Sequence, residues 1–517
     1  MGKENGQHRS PSDRSAPDSS TPGGLRLTAP KVHIESGTLV GASDGEAERF
    51  LGIPYAAAPV GALRWRPPQR PAPWSGSRAA TEFGADCVQN RPAWDNTASD
   101  GPVSEDCLFI NVWRPAARAR TALPVMVWIH GGGFVMGSSS QPMLDGGALA
   151  RRGVVLVTFN YRLGRFGFFA HPALCAAQRG EAIGNYGLMD QIAALRWVQR
   201  NIAAFGGDPK NVTIFGESAG GTSVLQLMAI TEAHGLFHRA IAQSSGGRDR
   251  WPSLNTVTHR PSAVAIGERF AREAGLSNAG PEALHAIPAD VLRGELTLVN
   301  MEQDTYSGPM FDGELIKGPA EQAFQAGRHA HVPLIIGCTS NELGEVPADL
   351  RDRMVDRFVD LLGAPRERLD ELYGSHEACN YNFVSDFPFV EPARHIARLS
   401  SAGGAPTYLY VFDYVTEARR HLANGAGHAT DVPFVSSSLR RVLENITPAD
   451  EAQSSLMIDY WTNFARTGDP NDGTLPRWKP YLRDSRAFWF SHSGPVERVL
   501  NTRVLDVLEA AHAAAQT

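Results

Sequence analysis

One segment organises the rest of this chain: Val212-Thr-Ile-Phe-Gly-Glu-Ser-Ala-Gly-Gly-Thr-Ser-Val-Leu-Gln-Leu-Met228. Residues 212–215 are apolar or β-branched and predict a buried strand. Residues 216–220 form a G-x-S-x-G pattern around Ser218. The apolar residues at 224–228 have the spacing of one helix face. The segment therefore predicts a strand, a sharp turn and a helix, with a serine at the turn.

The predicted turn explains the residues on either side of Ser218. A serine at the apex of a strand-to-helix turn is held in strained backbone geometry, and the two elements approach closely there. Gly216 and Gly220 occupy the positions where a Cβ atom would obstruct that approach. The positive end of the helix dipole favours negative charge beside the serine. We therefore predict that Ser218 is a nucleophile.

A glycine-rich loop upstream predicts a second part of the same chemistry. Residues 123–129 are continuously apolar, as in a buried parallel strand, and His130-Gly-Gly-Gly-Phe134 follows directly. Three consecutive glycines are costly in backbone entropy, but their bare amides can come close to a ligand. A loop of this HGGG type donates N–H groups to an oxyanion.

Strand and helix patterns alternate along the chain, which predicts an α/β fold with a large, mostly parallel central sheet and helices on both faces. Two long segments, at about 248–330 and 345–400, have helical or irregular patterns instead of strong strands. We expect them to be helical insertions over the carboxyl edge of the sheet. The strands and helices that support this prediction lie at residues 153–160, 188–205, 212–215, 240–243, 332–337 and 407–412.

A nucleophilic serine needs a base and a carboxylate that orients the base, and both would follow the serine along this chain. Glu342 lies in a loop directly after a predicted strand, where α/β sheets carry functional residues. His428 lies in a glycine-rich loop after the next predicted strand. His421 and Asp312 are the alternatives. His421 follows two arginines, which favours a solvated side chain, and Asp312 begins an Asp-Gly turn, which favours a structural role.

The composition excludes several classes of protein. The chain has 517 residues and a formal net charge of −6, which argues against binding to nucleic acid. No apolar run reaches the roughly 18 residues of a membrane span. Residues 1–25 predict a disordered tail, because they are rich in Ser, Pro and Gly and lack the apolar core of a signal peptide. We expect residues 26–517 to form a single domain that needs no metal or cofactor, because no Cys/His cluster has ligand spacing.

Five motifs in this sequence resemble the type-B carboxylesterase family, which includes carboxylesterases and cholinesterases. The resemblance runs from about residue 27 to about residue 508 and implies the α/β-hydrolase fold. The motifs are Ser-Glu-Asp-Cys-Leu at 104–108, the glycine loop at 130–134, Gly-Asn-Tyr-Gly-Leu at 184–188, Phe-Gly-Gly-Asp-Pro at 205–209 and Phe-Gly-Glu-Ser-Ala-Gly-Gly at 215–221.

The resemblance also implies roles for individual residues. It implies a triad in which Ser218 is the nucleophile, His428 the base and Glu342 the orienting acid. One departure concerns the acid, because relatives usually place glycine directly after it and this chain has Leu343-Gly344. The resemblance implies that the amides of Gly132, Gly133 and Ala219 donate to the oxyanion. It implies that Glu217 and Asp431 are supporting carboxylates. The residues that it places in the substrate pocket are Phe134, Arg248, Arg250 and Trp251.

Two of the five cysteines, Cys87 and Cys107, are 20 residues apart. A bridge over a loop of that size would stabilise the fold by about 3 kcal/mol. Their spacing alone leaves open a disulfide or two buried thiols, whereas the resemblance implies the family's first disulfide. A bridge would indicate a periplasmic or secreted protein, and free thiols would permit the cytoplasm.

These observations predict a carboxylic ester hydrolase that acts on small to medium ester molecules through an acyl-enzyme intermediate. A non-catalytic adhesion or scaffold protein on the same fold is an alternative, although such proteins lose the nucleophile. An acyltransferase or amidase remains open because the triad does not select the acceptor. The sequence does not determine the oligomeric state.

Two arginines, Arg248 and Arg250, lie in the segment that the resemblance assigns to the acyl side of the site. Arginine grips carboxylates with two parallel hydrogen bonds, so this pair predicts an acyl group that carries a carboxylate, as in polycarboxylic, mycotoxin-type esters. The alternative is that Asp249 pairs with one arginine while water solvates the other.

Overall fold

The computed structural model describes residues 29–93, 95, 97–144 and 146–514. The predicted disordered tail at residues 1–25 lies outside the described residues. The strands of the described chain, in order, are β1 Lys31–Ile34, β2 Gly37–Val40, β3 Ala42–Ser43, β4 Ala47–Pro54, β5 Ser77–Ala79, β6 Asp86–Cys87, β7 Val103–Ser104, β8 Phe109–Pro115, β9 Leu123–Ile129, β10 Val155–Phe159, β11 Gly207–Glu217, β12 Arg239–Gln243, β13 Leu334–Thr339, β14 Thr407–Phe412, β15 Arg486–Ser491 and β16 Gly494–Val499.

The helices cover both long segments for which the sequence predicts insertions. In the described chain, four α-helices lie between β12 and β13, and four more lie between β13 and β14. The α-helices of the described chain are α1 Gly147–Arg151, α2 Gly164–Gly167, α3 Pro172–Ala177, α4 Tyr186–Asn201, α5 Ala219–Ala229, α6 Ala263–Glu273, α7 Pro281–His285, α8 Ala289–Arg293, α9 Ala320–Gln325, α10 Ala348–Leu362, α11 Arg366–Tyr373, α12 His376–Ser385, α13 Glu391–Ala402, α14 Val432–Val435, α15 Leu439–Val442, α16 Pro448–Thr467 and α17 Thr502–Ala514.

The central sheet of the described chain has eleven strands in the order β16-β15-β14-β13-β12-β11-β9-β10-β8-β4-β3. The strands from β15 to β10 in that order are parallel to one another, and antiparallel strands flank them at both edges. Parallel strands need long crossover connections, which the helices supply. The prediction of a large, mostly parallel sheet is therefore confirmed.

Strand β9 shows how the sheet separates two hydrophobic cores. Val127 and its alternate neighbours face a core that includes Leu188 of α4 and helix α5. Met126 and Trp128 face the other core, which includes Trp461 of α16. Because side chains alternate between the two faces of a strand, a continuously apolar strand can be buried on both sides. The helices therefore cover both faces of the sheet, as the sequence predicts.

The sheet brings the predicted site residues to one edge. The carboxyl ends of the neighbouring strands β9, β11, β12 and β13 lie side by side because these strands are parallel. The glycine loop follows β9, Ser218 follows β11, and the loop with Glu342 follows β13. Chain segments that are distant in sequence therefore meet at this edge, which is where open α/β sheets bind ligands.

Candidate active site

Ser218 lies at the turn between β11 and α5 with φ 57° and ψ −122°, a conformation that non-glycine residues rarely adopt. Its amide donates a hydrogen bond to the carbonyl of Gln243 at 3.0 Å. A Cβ atom on Gly216 would lie 2.6 Å from the carbonyl carbon of Gly220, and one on Gly220 would lie 2.0 Å from the carbonyl oxygen of Ile129. The two glycines are therefore required by the close approach that the sequence predicts.

The glycine loop after β9 lies against this turn. A Cβ atom on Gly131 would lie 3.3 Å from the Cβ atom of Ser218. Gly132 and Gly133 have φ values of 98° and 61°, which turn the loop back on itself. Within the described chain, the amides of Gly132, Gly133 and Ala219 donate to no other group. Three unpaired N–H groups near a serine are suited to binding an oxyanion.

His130 fixes the start of the glycine loop. Its ring stacks on Tyr161 with centroids 4.3 Å apart, and its Nδ1 lies 2.9 Å from the carbonyl oxygen of Gly131. The Tyr161 hydroxyl donates to the carbonyl of His130 at 2.9 Å. Burial lowers the pKa of His130 to about 4, so the ring is neutral at ordinary pH. A neutral ring is the form that donates from Nδ1 without adding a charge beside these loop amides.

His428 and Glu342 form a short contact. The Nδ1 atom of His428 lies 2.5 Å from Oε2 of Glu342, and the other carboxylate oxygen accepts the amide N–H of Thr339 at 2.7 Å. The Glu342 side chain is fully buried, whereas the His428 side chain is 26% exposed. Because the Glu342 carboxylate accepts the proton on Nδ1, Nε2 remains as the basic nitrogen of the neutral ring.

Glu217 lies on the other side of the histidine. Its Oε1 atom is 3.1 Å from Nε2 of His428, but the angles do not make a hydrogen bond, and this buried oxygen has no hydrogen-bond partner in the described chain. Burial lowers the pKa of His428, but the carboxylates of Glu217 and Glu342 raise it by more, so its pKa lies above the ordinary value. Burial likewise raises the pKa of Glu217.

Asp431 is buried beneath the histidine loop. Its Oδ2 atom accepts hydrogen bonds from Gln243 Nε2 at 2.9 Å and from the Tyr410 hydroxyl at 3.0 Å. Burial is the largest effect on its pKa, which is raised to about 6. The aspartate thus links the end of β12 and strand β14 to the loop that carries His428.

The predicted pocket residues that the structure brings together are aromatic. The Phe134 ring contacts Trp251 edge-on with centroids 6.1 Å apart, and Trp251 lies 5.8 Å from Phe311. The sequence analysis missed two residues that reach the site from the inserted segments. Phe389 lies with its ring 5.1 Å from the His428 ring, and the Leu298 side chain lies where a Cβ atom on Gly133 would be, at 2.4 Å. No local sequence signal marks either residue.

The prediction that Arg248 lines a substrate pocket is wrong. Its side chain is 7% exposed, and its guanidinium pairs with Glu321 at 2.6 Å and with Glu391 at 2.8 Å. Two buried carboxylates already neutralise this cation, so it is not available to a substrate. Arg250 extends toward the same region, with Nη2 3.5 Å from Nδ1 of His512 in α17.

Asp249 pairs with neither arginine among the described residues. Its carboxylate accepts hydrogen bonds from Gln226 Nε2 at 2.7 Å and from the Ala320 amide at 3.3 Å. Of the alternatives for the triad, Asp312 accepts three amide N–H groups of its own turn and the side chain of Asn185. His421 is exposed.

The predicted Cys87–Cys107 disulfide is absent from the structure, in which both residues are buried free thiols. The Cys87 thiol instead donates to the carbonyl oxygen of Tyr161 at 2.9 Å. Burial raises the pKa of Cys87, and the neighbouring Cys107 raises it further. The Cys87 thiol is therefore protonated and unreactive in the folded chain.

One group of potential metal ligands lies outside the site. Glu391, His395 and Glu509 bring ligand atoms within 4.8 Å of one another. Arg248 pairs with Glu391, and Arg398 pairs with Glu509. Because arginines already neutralise both glutamates, this group is better described as an ion-pair network that joins α13 to α17.

The sheet, the strained serine turn and the glycine loop together define an α/β-hydrolase. The family model described as the carboxylesterase family matches residues 28–360 and 367–505, and the chain belongs to that family. The chain is a carboxylic ester hydrolase. Among the described residues, the helices lack the combination of length and apolar character that a membrane crossing requires.

Similar proteins cover nearly the whole chain. The fumonisin B1 esterase of Sphingopyxis macrogoltabida is 34% identical over 484 residues, which are 89% of this chain and 86% of that protein. The para-nitrobenzyl esterase of Bacillus subtilis (strain 168) is 35% identical over 477 residues, 89% of this chain and 94% of that protein. The solved structure of a thermophilic PNB esterase superimposes with a TM-score of 0.82 at 32% identity, covering 93% of this chain and all of that one.

Proposed function

We propose that this esterase hydrolyses small to medium carboxylic esters through a Ser218, His428 and Glu342 triad and an acyl-enzyme intermediate. The observation that carries the proposal is the 2.5 Å contact between His428 and the buried Glu342. Nε2 of the same histidine lies 3.1 Å from Glu217, which directly precedes Ser218 in its strained turn. A buried carboxylate on Nδ1 selects the tautomer in which Nε2 accepts a proton. The strained turn keeps the serine hydroxyl clear of the sheet.

The reaction begins when the Ser218 oxygen attacks the ester carbonyl and His428 Nε2 takes the serine proton. The carbonyl oxygen gains negative charge, which the amides of Gly132, Gly133 and Ala219 stabilise. Each such donor is worth several kcal/mol, about 3–4 in comparable sites. These amides are suited to the role because they have no competing partner in the described chain.

The tetrahedral intermediate collapses when the C–O bond to the alcohol breaks and His428 returns its proton to the leaving oxygen. The acyl group then remains on Ser218 as an ester. Water attacks this second ester with the same histidine as base, and the acid leaves as Ser218 recovers its proton. While His428 carries the proton, the negative charges of Glu342 and Glu217 stabilise the imidazolium.

Rapid mixing with p-nitrophenyl acetate tests this proposal. We expect a burst of about one nitrophenolate per enzyme, followed by slower steady turnover, because acylation precedes deacylation. Ser218→Ala should lose the burst and several orders of magnitude in kcat. Ser223→Ala is the matched control, because that hydroxyl lies one turn along α5 and is bonded to the Ala219 carbonyl. A full burst in Ser218→Ala would contradict the proposal.

A second candidate substrate class is the polycarboxylic, mycotoxin-type ester. It is favoured by the relative named fumonisin B1 esterase, which is 34% identical to this chain. Arg250 is the arginine left for a charged acyl group, because it pairs with no carboxylate among the described residues. The test compares kcat/KM on fumonisin B1 and on a neutral short-chain ester, with and without Arg250→Ala. If Arg250→Ala lowered kcat/KM equally for both substrates, Arg250 would not recognise the negative charge of the acyl group.

A further inference from the structure

Glu345 lies three residues beyond Glu342 and collects hydrogen bonds from three segments of the chain. Its Oε1 atom accepts the Tyr381 hydroxyl at 2.6 Å and Asn341 Nδ2 at 3.3 Å. The same oxygen accepts both the backbone N–H and the side-chain amide of Asn424, each at 3.3 Å. A single carboxylate oxygen therefore serves four donors.

Three of the four donors belong to the two loops that carry the proposed acid and base, and the fourth, the Tyr381 hydroxyl, lies in α12. We call residues 339–345 the acid loop and residues 424–428 the base loop. Between Glu345 and the histidine, the loops pair through the backbone: Asn341 N–H donates to Ala426 O at 3.0 Å, and His428 N–H donates to Glu342 O at 2.9 Å. The Ala426 amide also donates to the Ser340 hydroxyl at 3.0 Å. Asn424, at the start of the base loop, takes no part in this backbone pairing.

The base loop needs such a restraint because of its composition. It reads Asn424-Gly-Ala-Gly-His428, and glycines lose more backbone entropy than other residues when they are ordered. The residues just before it are largely exposed, including Leu422 at 67%. No buried apolar side chain of 421–425 fixes this stretch, so polar contacts must hold it.

The unusual Leu343-Gly344 sequence brings Glu345 into position. A Cβ atom on Gly344 would lie 2.0 Å from Asn341 Oδ1 and 2.9 Å from the backbone carbonyl oxygen of Tyr381, so the turn in the acid loop favours glycine here. Arg351 of α10 donates to the Gly344 carbonyl at 2.8 Å and holds that turn. The glycine two places after the acid thus has a local reason, because the turn at Gly344 brings Glu345 back to the side chain of Asn341.

Glu345 is ionised in this arrangement. Glu345 is exposed. The hydrogen bond from Tyr381 is the largest effect on its pKa and lowers it, and the donors of Asn424 and Asn341 lower it further, although desolvation of the carboxylate opposes them. Hydrogen bonds to a charged acceptor are roughly twice as strong as those between neutral groups. The negative charge therefore lets one oxygen hold four donors at once.

We propose that Glu345 is a positioning residue for His428, because it fastens the base loop to the acid loop and so keeps His428 Nδ1 on Glu342. The proposal rests on the function proposed above for His428 and Glu342. Glu345 acts through Asn424 and the loop backbone, and it touches neither the histidine nor the serine. Its loss should leave the triad residues in place but widen the range of distances between base and acid.

The test is the kinetics of Glu345→Ala and Glu345→Gln across pH. We expect Glu345→Ala to lower kcat by about 10- to 100-fold with little change in KM, the scale of a misplaced catalytic group. The acid limb of the kcat/KM profile should also move to lower pH, because the Glu342 contact that raises the pKa of His428 is loosened. Glu345→Gln keeps an acceptor oxygen and should recover part of kcat.

Controls separate positioning from general stability. Glu371→Gln changes an exposed glutamate of α11 and should match the wild type in kcat and in the acid limb. Asn424→Ala removes one of the four donors and should cause a smaller loss, and combined with Glu345→Ala it should add little. If Glu345→Ala does not fold, Asn424→Ala and Tyr381→Phe must still shift the acid limb.

A Glu345→Ala enzyme with wild-type kcat and acid limb would overturn the proposal, even if its Tm fell. If the proposed Ser218 triad were itself wrong, the result would be different, because Ser218→Ala would then keep its turnover. If Ser218→Ala is inactive while Glu345→Ala behaves like the wild type, only the positioning role is lost.

Discussion

Replacing Glu217 by glutamine should move the acid limb of the kcat/KM profile to lower pH. As the proposed general base, His428 must be neutral to accept the serine proton, so activity should rise with pH through the pKa of His428. The negative charge of Glu217 stabilises the protonated ring and raises that pKa. Removing the charge lowers the pKa, so the neutral base persists to lower pH. The glutamine has nearly the same size, so packing is preserved.

The size of the shift follows from the 3.1 Å separation between Glu217 Oε1 and His428 Nε2. At an effective dielectric constant of about 20, two unit charges at that distance interact by about 5 kcal/mol. This is an upper limit, because burial raises the pKa of Glu217 and keeps it partly protonated. A nearby opposite charge commonly moves a pKa by about 1–3 units, and we expect the shift in that range.

The assay follows release of the acid from a neutral naphthyl ester by liquid chromatography between pH 5 and 10, which avoids a chromophore that titrates. The plateau of kcat should also fall, because the imidazolium loses a neighbouring negative charge. Glu232→Gln, at an exposed position after α5, is the matched control and should leave the limb in place. An unchanged limb in Glu217→Gln, or a shift to higher pH, would refute the electrostatic reasoning.

Three further outcomes depend on buried contacts. Arg248→Ala should lower the free energy of unfolding by about 3–5 kcal/mol in urea titrations, because it leaves two glutamates buried and unpaired, and an unchanged midpoint would contradict this. Gly220→Ala should abolish activity and lower Tm, since its Cβ would lie 2.0 Å from Ile129 O, whereas wild-type behaviour would show that the turn can relax. Thiol titration of denatured, unreduced protein should find all five cysteines free, and a count of three would show that Cys87 and Cys107 form a bridge.

The parts of the site that the sequence predicts are those with local causes. The glycines at 216 and 220 are imposed by atoms of the turn itself and of the adjacent strand, so a short motif carries the information. The predicted strand at 240–243 is β12 Arg239–Gln243, and the predicted helix at 188–205 is α4 Tyr186–Asn201 with a 3₁₀ turn at Ile202–Phe205. Such patterns reflect periodic burial, which a sequence records directly.

The features that the sequence did not predict depend on contacts between distant segments. Arg248 is neutralised by Glu321 and Glu391, which lie 73 and 143 residues away along the chain. Glu345 reaches Asn424 across 79 residues. No periodicity or spacing in the sequence predicts these contacts, because the packing of the inserted helices and loops on the sheet determines which residues meet.

The central claim is that catalysis passes through a covalent intermediate on Ser218. Its most direct test is stoichiometric inactivation by a reactive p-nitrophenyl phosphonate, followed by peptide mapping of the modified residue by mass spectrometry. The account predicts one label per chain on Ser218, loss of esterase activity in proportion to labelling, and no label in Ser218→Ala. Inactivation with the label on another residue would contradict it. So would an enzyme that, after treatment with the phosphonate, carries no label and keeps its full activity.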